Sequence, residues 1–260
     1  MELISQKSSI EDLARLAKED KHSILIEGVE GSGKSYLAKQ YAMMLDIPDF
    51  QMIEPKVQNI KDAINACYMV ENSIVICIEN IDAGVLAASY ALLKFLEEPA
   101  DHVYVIVTCR NIQNVPDTII SRSAVVTVPP PIESDLITYA NEKNSAQYLY
   151  LQNQPIWKCA KTFKDVEIIL ELDSGKLDYF NTLISNIQKR NSVSNLVWML
   201  QKYPDNSLTP IQLVIRYIMY TTNSKTIWNA GHSCLHELSL SRIATHAVLA
   251  KFAFELKYLK

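Results

Sequence analysis

"GVEGSGKS", residues 28–35, is the stretch that decides the fold. It fits G-x-x-x-x-G-K-[ST] in full: Gly28, Gly33, Lys34 and Ser35 hold the fixed positions, with Gly31 between them. The spacing suits a phosphate. Glycines let backbone N–H groups curl around phosphate oxygens where a Cβ would obstruct them. A helix starting at the lysine adds the positive end of its dipole. Lys34 then reaches the β- and γ-phosphates, and the Ser35 hydroxyl ligates Mg²⁺. The loop therefore predicts a site for ATP and Mg built from Gly28, Gly31, Ser32, Gly33, Lys34 and Ser35.

The flanks give the loop its context. "HSILIEG" (22–28) is an apolar run ending in glycine, and "SYLAKQYAMMLD" (35–46) has helical character, so strand, turn and helix follow directly. Upstream, "SSIEDLARLAKED" reads as a short amphipathic helix, with Ser8 and Glu11 or Ser9 and Asp12 spaced to cap its start. Downstream, "FQMIEP" is a candidate strand and "VQNIKDAINACYMV" a helix. "SIVICIE" (73–79) is a β-branched run of the kind buried on both faces. "GVLAASYALLKFLEE" (84–98) reads as helix, "HVYVIVTC" (102–109) as strand and "AVVTV" (124–128) as a last short strand. Strands alternating with helices predict a parallel sheet with helices on both faces.

Pro129, Pro130 and Pro131 interrupt the pattern and mark a boundary, since proline fits neither a helix interior nor a central strand. The remainder reads as helical, with Thr209 placed to cap a helix that has Pro210 at its first position. Three segments are expected: 1–132, 133–177 and 178–260.

Composition narrows the function classes. The chain has 260 residues, 48% hydrophobic and 21% charged, enough for a sizeable core. No apolar stretch is long enough to span a bilayer, and the start lacks a signal-peptide pattern, so the expectation is a cytoplasmic protein with no membrane partner. The five cysteines show no C-x-x-C spacing and suggest neither a disulfide framework nor a zinc site. The net charge of −4 divides into +6 over residues 181–260 and −10 over the rest. That asymmetry suits an acidic partner, head-to-tail docking of subunits, or a solvated basic helical face.

"YALLKFLEEP" (90–99) and "PDTIISRS" (116–123), following the phosphate loop in this order, resemble bacterial clamp-loader ATPases. The second motif is similar to their Ser-Arg-Cys motif, with Ser123 in place of cysteine. The likeness to the gamma and delta-prime subunits of the DNA polymerase III clamp loader covers residues 24 to about 125. It implies an AAA+ module, then a small helical lid and a helical collar-like domain that holds such subunits in a ring. It also implies partners: other loader subunits, a sliding clamp, and primer–template DNA through the assembled complex. Arg122 would be an arginine finger serving a neighbour's nucleotide, since a guanidinium presents paired donors to phosphate oxygens. Outside the family pattern, Arg122 reads as a surface arginine capping a helix.

The chain also departs from that family. Glu79-Asn80 stands where Asp-Glu is usual. Glu79 can still approach Mg, but Asn80 has no basic oxygen to take a proton from attacking water, although it can orient that water. Glu79 and Asn80, with Arg122, are the candidate catalytic residues, and Ser35 with Glu79 the candidate Mg ligands. At the sensor position, where threonine or asparagine is common, the chain has Arg110, or Cys109 on a one-residue slip. Zinc-binding cysteines and a clear Gly-x-x-Arg lid sensor are missing from the sequence. Lys94 reads either as an interface cation or as a solvated helix lysine. His102, His232, His236 and His246 show no metal spacing, and Phe252, Phe254 and Tyr258 read as helix packing.

Three functions remain open. The first is an ATP-binding clamp-loader subunit using ATP as an assembly switch with weak or no hydrolysis. The second is a non-hydrolysing P-loop scaffold of a replication complex. The third is an autonomous AAA+ ATPase such as a helicase loader, which would need a base in place of Asn80.

Overall fold

The computed structural model of the chain describes residues 3–84, 86–97, 100–188, 209–221, 225–239 and 245–258. It divides into two compact units, residues 1–135 and 136–260.

The first unit is built on five parallel strands, β1 (Ser23–Gly28), β2 (Asp49–Ile53), β3 (Ile74–Ile78), β4 (Val103–Cys109) and β5 (Ala124–Val128), in the order β2-β3-β4-β1-β5. Period-two alternation sends successive side chains to opposite faces. Ile74, Ile76, Ile78, Val103, Val105 and Val107 pack on one face with Ile60 and Ala63 of α3 (Val57–Cys67) and Leu92 and Phe95 of α4 (Leu86–Glu97). Ile24, Ile26, Val75, Cys77 and Ile106 pack on the other with Leu13 and Leu16 of α1 (Lys7–Lys18) and Leu37 and Tyr41 of α2 (Lys34–Met44). Every residue of β3 and β4 is buried, which is why both read as unbroken apolar runs. The edge strands β2 and β5 have one side without a strand neighbour, and several of their side chains reach solvent. Burying one aliphatic side chain contributes about 1.5–3 kcal/mol, so β3 and β4 carry most of the sheet.

This order places the C-terminal ends of β1, β3 and β4 side by side on one edge of the sheet. Crevices beyond the carboxyl ends of parallel strands are where open α/β sheets bind ligands.

One local expectation is corrected. α1 starts at Lys7, so Ser8 and Ser9 lie inside its first turn, and no side chain caps it. Ser9 Oγ instead donates to the Thr127 carbonyl at 2.9 Å. A tertiary acceptor has taken the hydroxyl that local spacing assigned to the cap.

The prolines at 129–131 sit between β5 and α6 (Glu133–Leu151), which is kinked at Asn144. Asn144 Oδ1 accepts from Gln147 N–H and so starts the segment beyond the kink. In the second unit α7 (Phe163–Leu170) opens on a reciprocal cap between Thr162 and Asp165. The other Asp165 oxygen pairs with Arg216 at 3.0 Å, tying α7 to the helix Thr209–Thr221, which has Pro210 in its first turn. Helices Lys225–Ser239 and Thr245–Tyr258 follow. Helix α8 (Ser174–Gln188) runs across the boundary expected at 177. Phe252 is buried as helix packing predicts, whereas Phe254 is exposed. His102 Nε2 donates to the Cys67 carbonyl, and His232 packs edge-on against Trp228, so both have ordinary structural partners. The side chains of Lys94, His236, His246 and Tyr258, and residues 98 and 99 of the "LEEP" stretch, lie outside the described residues. Among the described residues no helix is long and apolar enough to cross a membrane.

Candidate nucleotide site

The loop after β1 turns on two glycines in left-handed conformation, Gly31 at φ 75° and Gly33 at φ 94°. A side chain would strain both positions. Gly28 has a different reason to be glycine: a Cβ there would come within 2.8 Å of Ser32 Oγ and 3.0 Å of Val128. Helix α2 begins at Lys34 directly after Gly33, so its N–H groups and positive dipole end face the loop.

The side chains are packed inward. Ser32 and Lys34 are both buried, and Ser32 Oγ has no hydrogen-bond partner. Lys34 Nζ folds back to donate to the carbonyls of Gly28 at 2.7 Å and Val29 at 3.0 Å. Burial pulls the lysine pKa down from its ordinary value, while the charges of Asp82 and Glu30 work against that shift. A buried ammonium satisfied only by two carbonyls is a cation waiting for an anion. The left-handed glycines, the orphaned hydroxyl and the buried cation all fit a bound triphosphate.

Glu79 and Asn80 follow β3 on the neighbouring part of the same edge. Ser35 Oγ donates to Glu79 Oε1 at 2.7 Å, so the two expected Mg ligands already touch. Their hard oxygens suit Mg²⁺, which keeps several waters and takes few protein ligands. Asn80 adopts a left-handed conformation (φ 47°, ψ 55°), and its N–H donates to Thr108 Oγ1 at 2.9 Å. Asparagine is among the few residues that tolerate this conformation, which gives the amide a structural reason to be there. An open cleft of about 600 Å³ lies alongside, lined by Glu54, Lys56, Glu79, Asn80 and Gly84.

Beyond β4 the structure places both sensor candidates at the loop. Cys109 is buried and pairs in register with Glu27 of β1, and burial pushes its thiol up to about 12, so it is neutral at pH 7. The Arg110 guanidinium lies 3.8 Å from Glu30 of the phosphate loop and 3.9 Å from Asp82.

Arg122 belongs to a different place in the same unit. Its Nη2 pairs with Glu97 at 2.6 Å, and its Nη1 donates to the Thr118 carbonyl at 2.9 Å, capping α5 (Asp117–Ile120). None of the hydrogen bonds or ion pairs described for it involves the phosphate loop.

Four residues escaped sequence reasoning. Thr108 braces Asn80. Gln6 is buried and donates from Nε2 to the Ser32 carbonyl at 2.7 Å, holding the loop from the N-terminal segment. Asp135 in turn accepts from the N–H groups of Ile4 and Ser5 at 2.8 and 2.9 Å. Asp82 has a nearly buried side chain with one oxygen unpartnered and the other accepting from Asn111 N–H at 3.3 Å. Only Thr108 left a trace, a small hydroxyl side chain inside an otherwise apolar stretch of strand.

Residues 45–131 match the family model described as DNA polymerase III, delta subunit. Among curated proteins none matches the chain in sequence. A DNA polymerase III gamma subunit-related protein from Thermotoga maritima has a similar structure, with a TM-score of 0.62 at 17% identity over 96% of this chain and 99% of that one. The Thermotoga maritima RuvB Holliday junction branch migration motor is also similar, with a TM-score of 0.52 at 13% identity over 95% of this chain and 86% of that one. At such identities the structures speak for the fold alone: a five-stranded parallel sheet with helices on both faces, followed by a helical part. The likeness to clamp-loader AAA+ subunits holds in sequence over residues 45–131 and in fold along nearly the whole chain.

Proposed function

We propose that this chain is an ATP-binding subunit of a DNA sliding-clamp loader, in which Mg-ATP acts as an assembly switch and is hydrolysed weakly or not at all by the chain's own site. The observation that carries the reading is the buried Lys34 ammonium, held by two backbone carbonyls inside a glycine cradle. In this reading the backbone N–H groups of residues 31–35 bind the phosphates. Lys34 leaves its carbonyls for the β- and γ-phosphates, and Ser35 and Glu79 hold Mg. The bound metal would supply charge neutralisation on the phosphates. Asn80 orients water without accepting its proton. Arg122 exchanges Glu97 for the nucleotide of an adjoining subunit.

Residues 133–177 would act as the lid and 178–260 as the collar-like segment, both in a cytoplasmic ring with other loader subunits. The sliding clamp and primer–template DNA are engaged by the assembly, because an acidic N-terminal module binds DNA weakly alone. A non-hydrolysing scaffold is the second reading, favoured by Asn80. An autonomous ATPase would need another base.

Purification of the complex formed by the full chain in Mg-ATP tests the proposal. A ring-shaped clamp and further ATPase subunits should be retained with ATP and lost in Lys34→Ala. Calorimetry showing no uptake of Mg-ATP by the wild-type chain would overturn it.

A further inference from the structure

We propose that Gln6 is a positioning residue of the nucleotide site: its amide locks the Ser32–Gly33 peptide so that the Gly33 N–H faces a bound phosphate, and Asp135 anchors the turn that carries it. The inference rests on the nucleotide-binding reading above and deepens it.

The phosphate loop is pinned at Ser32 through both backbone groups. Ser32 N–H donates to the Val29 carbonyl at 3.2 Å, closing a turn whose third residue, Gly31, has the positive φ that such a turn requires. The Ser32 carbonyl accepts from Gln6 Nε2 at 2.7 Å. A trans peptide is planar, with its C=O and N–H on opposite sides, so a carbonyl held toward Gln6 sends the Gly33 N–H away from it. The left-handed glycine at 33 offers no side-chain resistance to turning that peptide over. The lock has to come from elsewhere in the chain.

Gln6 is a poor choice for packing alone. It is buried, yet its Oε1 has no hydrogen-bond partner among the described residues. A methionine would fill a similar space without that orphaned oxygen. The turn Ile4–Gln6 is itself held. Asp135, also buried, accepts from the Ile4 N–H at 2.8 Å through Oδ1 and from the Ser5 N–H at 2.9 Å through Oδ2. Burial pushes the Asp135 carboxyl up, but the donors from Ser5 and Ile4 outweigh it and bring it below its ordinary value. Both oxygens are therefore acceptors, and an asparagine there would set an amide N–H against one of the two backbone donors.

The test is calorimetry of the full chain with Mg-ATP, joined to melting curves and to amide hydrogen exchange over residues 28–35 without nucleotide. Gln6→Met should weaken Mg-ATP about twofold to tenfold, the worth of one ordinary hydrogen bond, and speed loop exchange, with the melting temperature unchanged or higher. A merely structural glutamine would lower the melting temperature and leave affinity alone. Asp135→Asn should weaken Mg-ATP as well, though it reaches the loop only through the turn. The double variant should lose little more than the weaker-binding single variant. Unchanged affinity in Gln6→Met, or fully additive losses in the double variant, would overturn the inference while wild-type Mg-ATP binding stands. No Mg-ATP binding by the wild type would overturn the proposed function. Loop exchange in Gln6→Met equal to that of the wild type would then overturn this inference too, whereas faster exchange would sustain the lock.

Discussion

Arg110 and Arg122 stand on either side of one short connection between β4 and β5, yet the protein holds them in opposite ways. Arg110 hangs over the phosphate loop, almost 4 Å from each of two acids. Arg122 is clasped at 2.6 Å by Glu97 and at 2.9 Å by the Thr118 carbonyl. A cation kept by field alone responds to any stronger anion that enters. A cation with bonds already made must break them first. In the proposed function Arg122 gives up those bonds only to a neighbour's nucleotide, whereas Arg110 is held by charge beside the chain's own phosphate loop.

The largest effect should come from breaking the outward half of that pair. Arg122→Ala should leave this chain's own Mg-ATP affinity unchanged and slow hydrolysis at the adjoining site of an assembled ring on the order of 10³–10⁵-fold, the usual worth of an arginine finger. Single-turnover hydrolysis in the ring, beside calorimetry of the free chain, checks this. Equal loss of both would make Arg122 a structural cap of α5 and nothing more.

Next comes the chain's own site. Asn80 lacks a proton acceptor, so Asn80→Glu should raise single-turnover hydrolysis at the chain's own site by about 10²–10⁴-fold, the usual contribution of a general base. The backbone complicates the substitution. Residue 80 is left-handed, where a longer L side chain costs about 1–2 kcal/mol and asparagine or aspartate far less. Asn80→Asp is therefore the cleaner companion, placing a carboxylate without the strain. If neither variant hydrolyses faster, the base is not what the site lacks.

The same contrast explains what the sequence could and could not say. The sheet was legible because β3 and β4 are buried along their whole length, and because the glycine spacing at 28–33 has few other uses. Lys34, Ser35 and Glu79 were singled out for the same local reason, and the structure brings the last two into contact. Contacts between distant residues left no such mark. Gln6 reaches Ser32 across 26 positions, Thr108 reaches Asn80 across 28, and Asp135 reaches Ile4 across 131. Ser9 failed as a cap because Thr127, far along the chain, offered a competing acceptor. Even Arg110, singled out for its odd position, showed its two carboxylates only in space.

The smallest effect is the most diagnostic of how Arg122 is held. Glu97 and Arg122 are both partly exposed, so their ion pair is worth about 0–1 kcal/mol in spite of its short distance. Glu97→Gln keeps an acceptor oxygen but removes the charge, so the melting temperature should barely move. The bond to Thr118 would then hold Arg122 alone, and its exchange onto a neighbour's phosphate should become easier. Hydrolysis at the adjoining site should rise by up to about fivefold, the factor that 1 kcal/mol allows. A fall instead would mean that Glu97 aims the guanidinium at its target and does not compete for it, and the two arginines would then differ in rigidity alone.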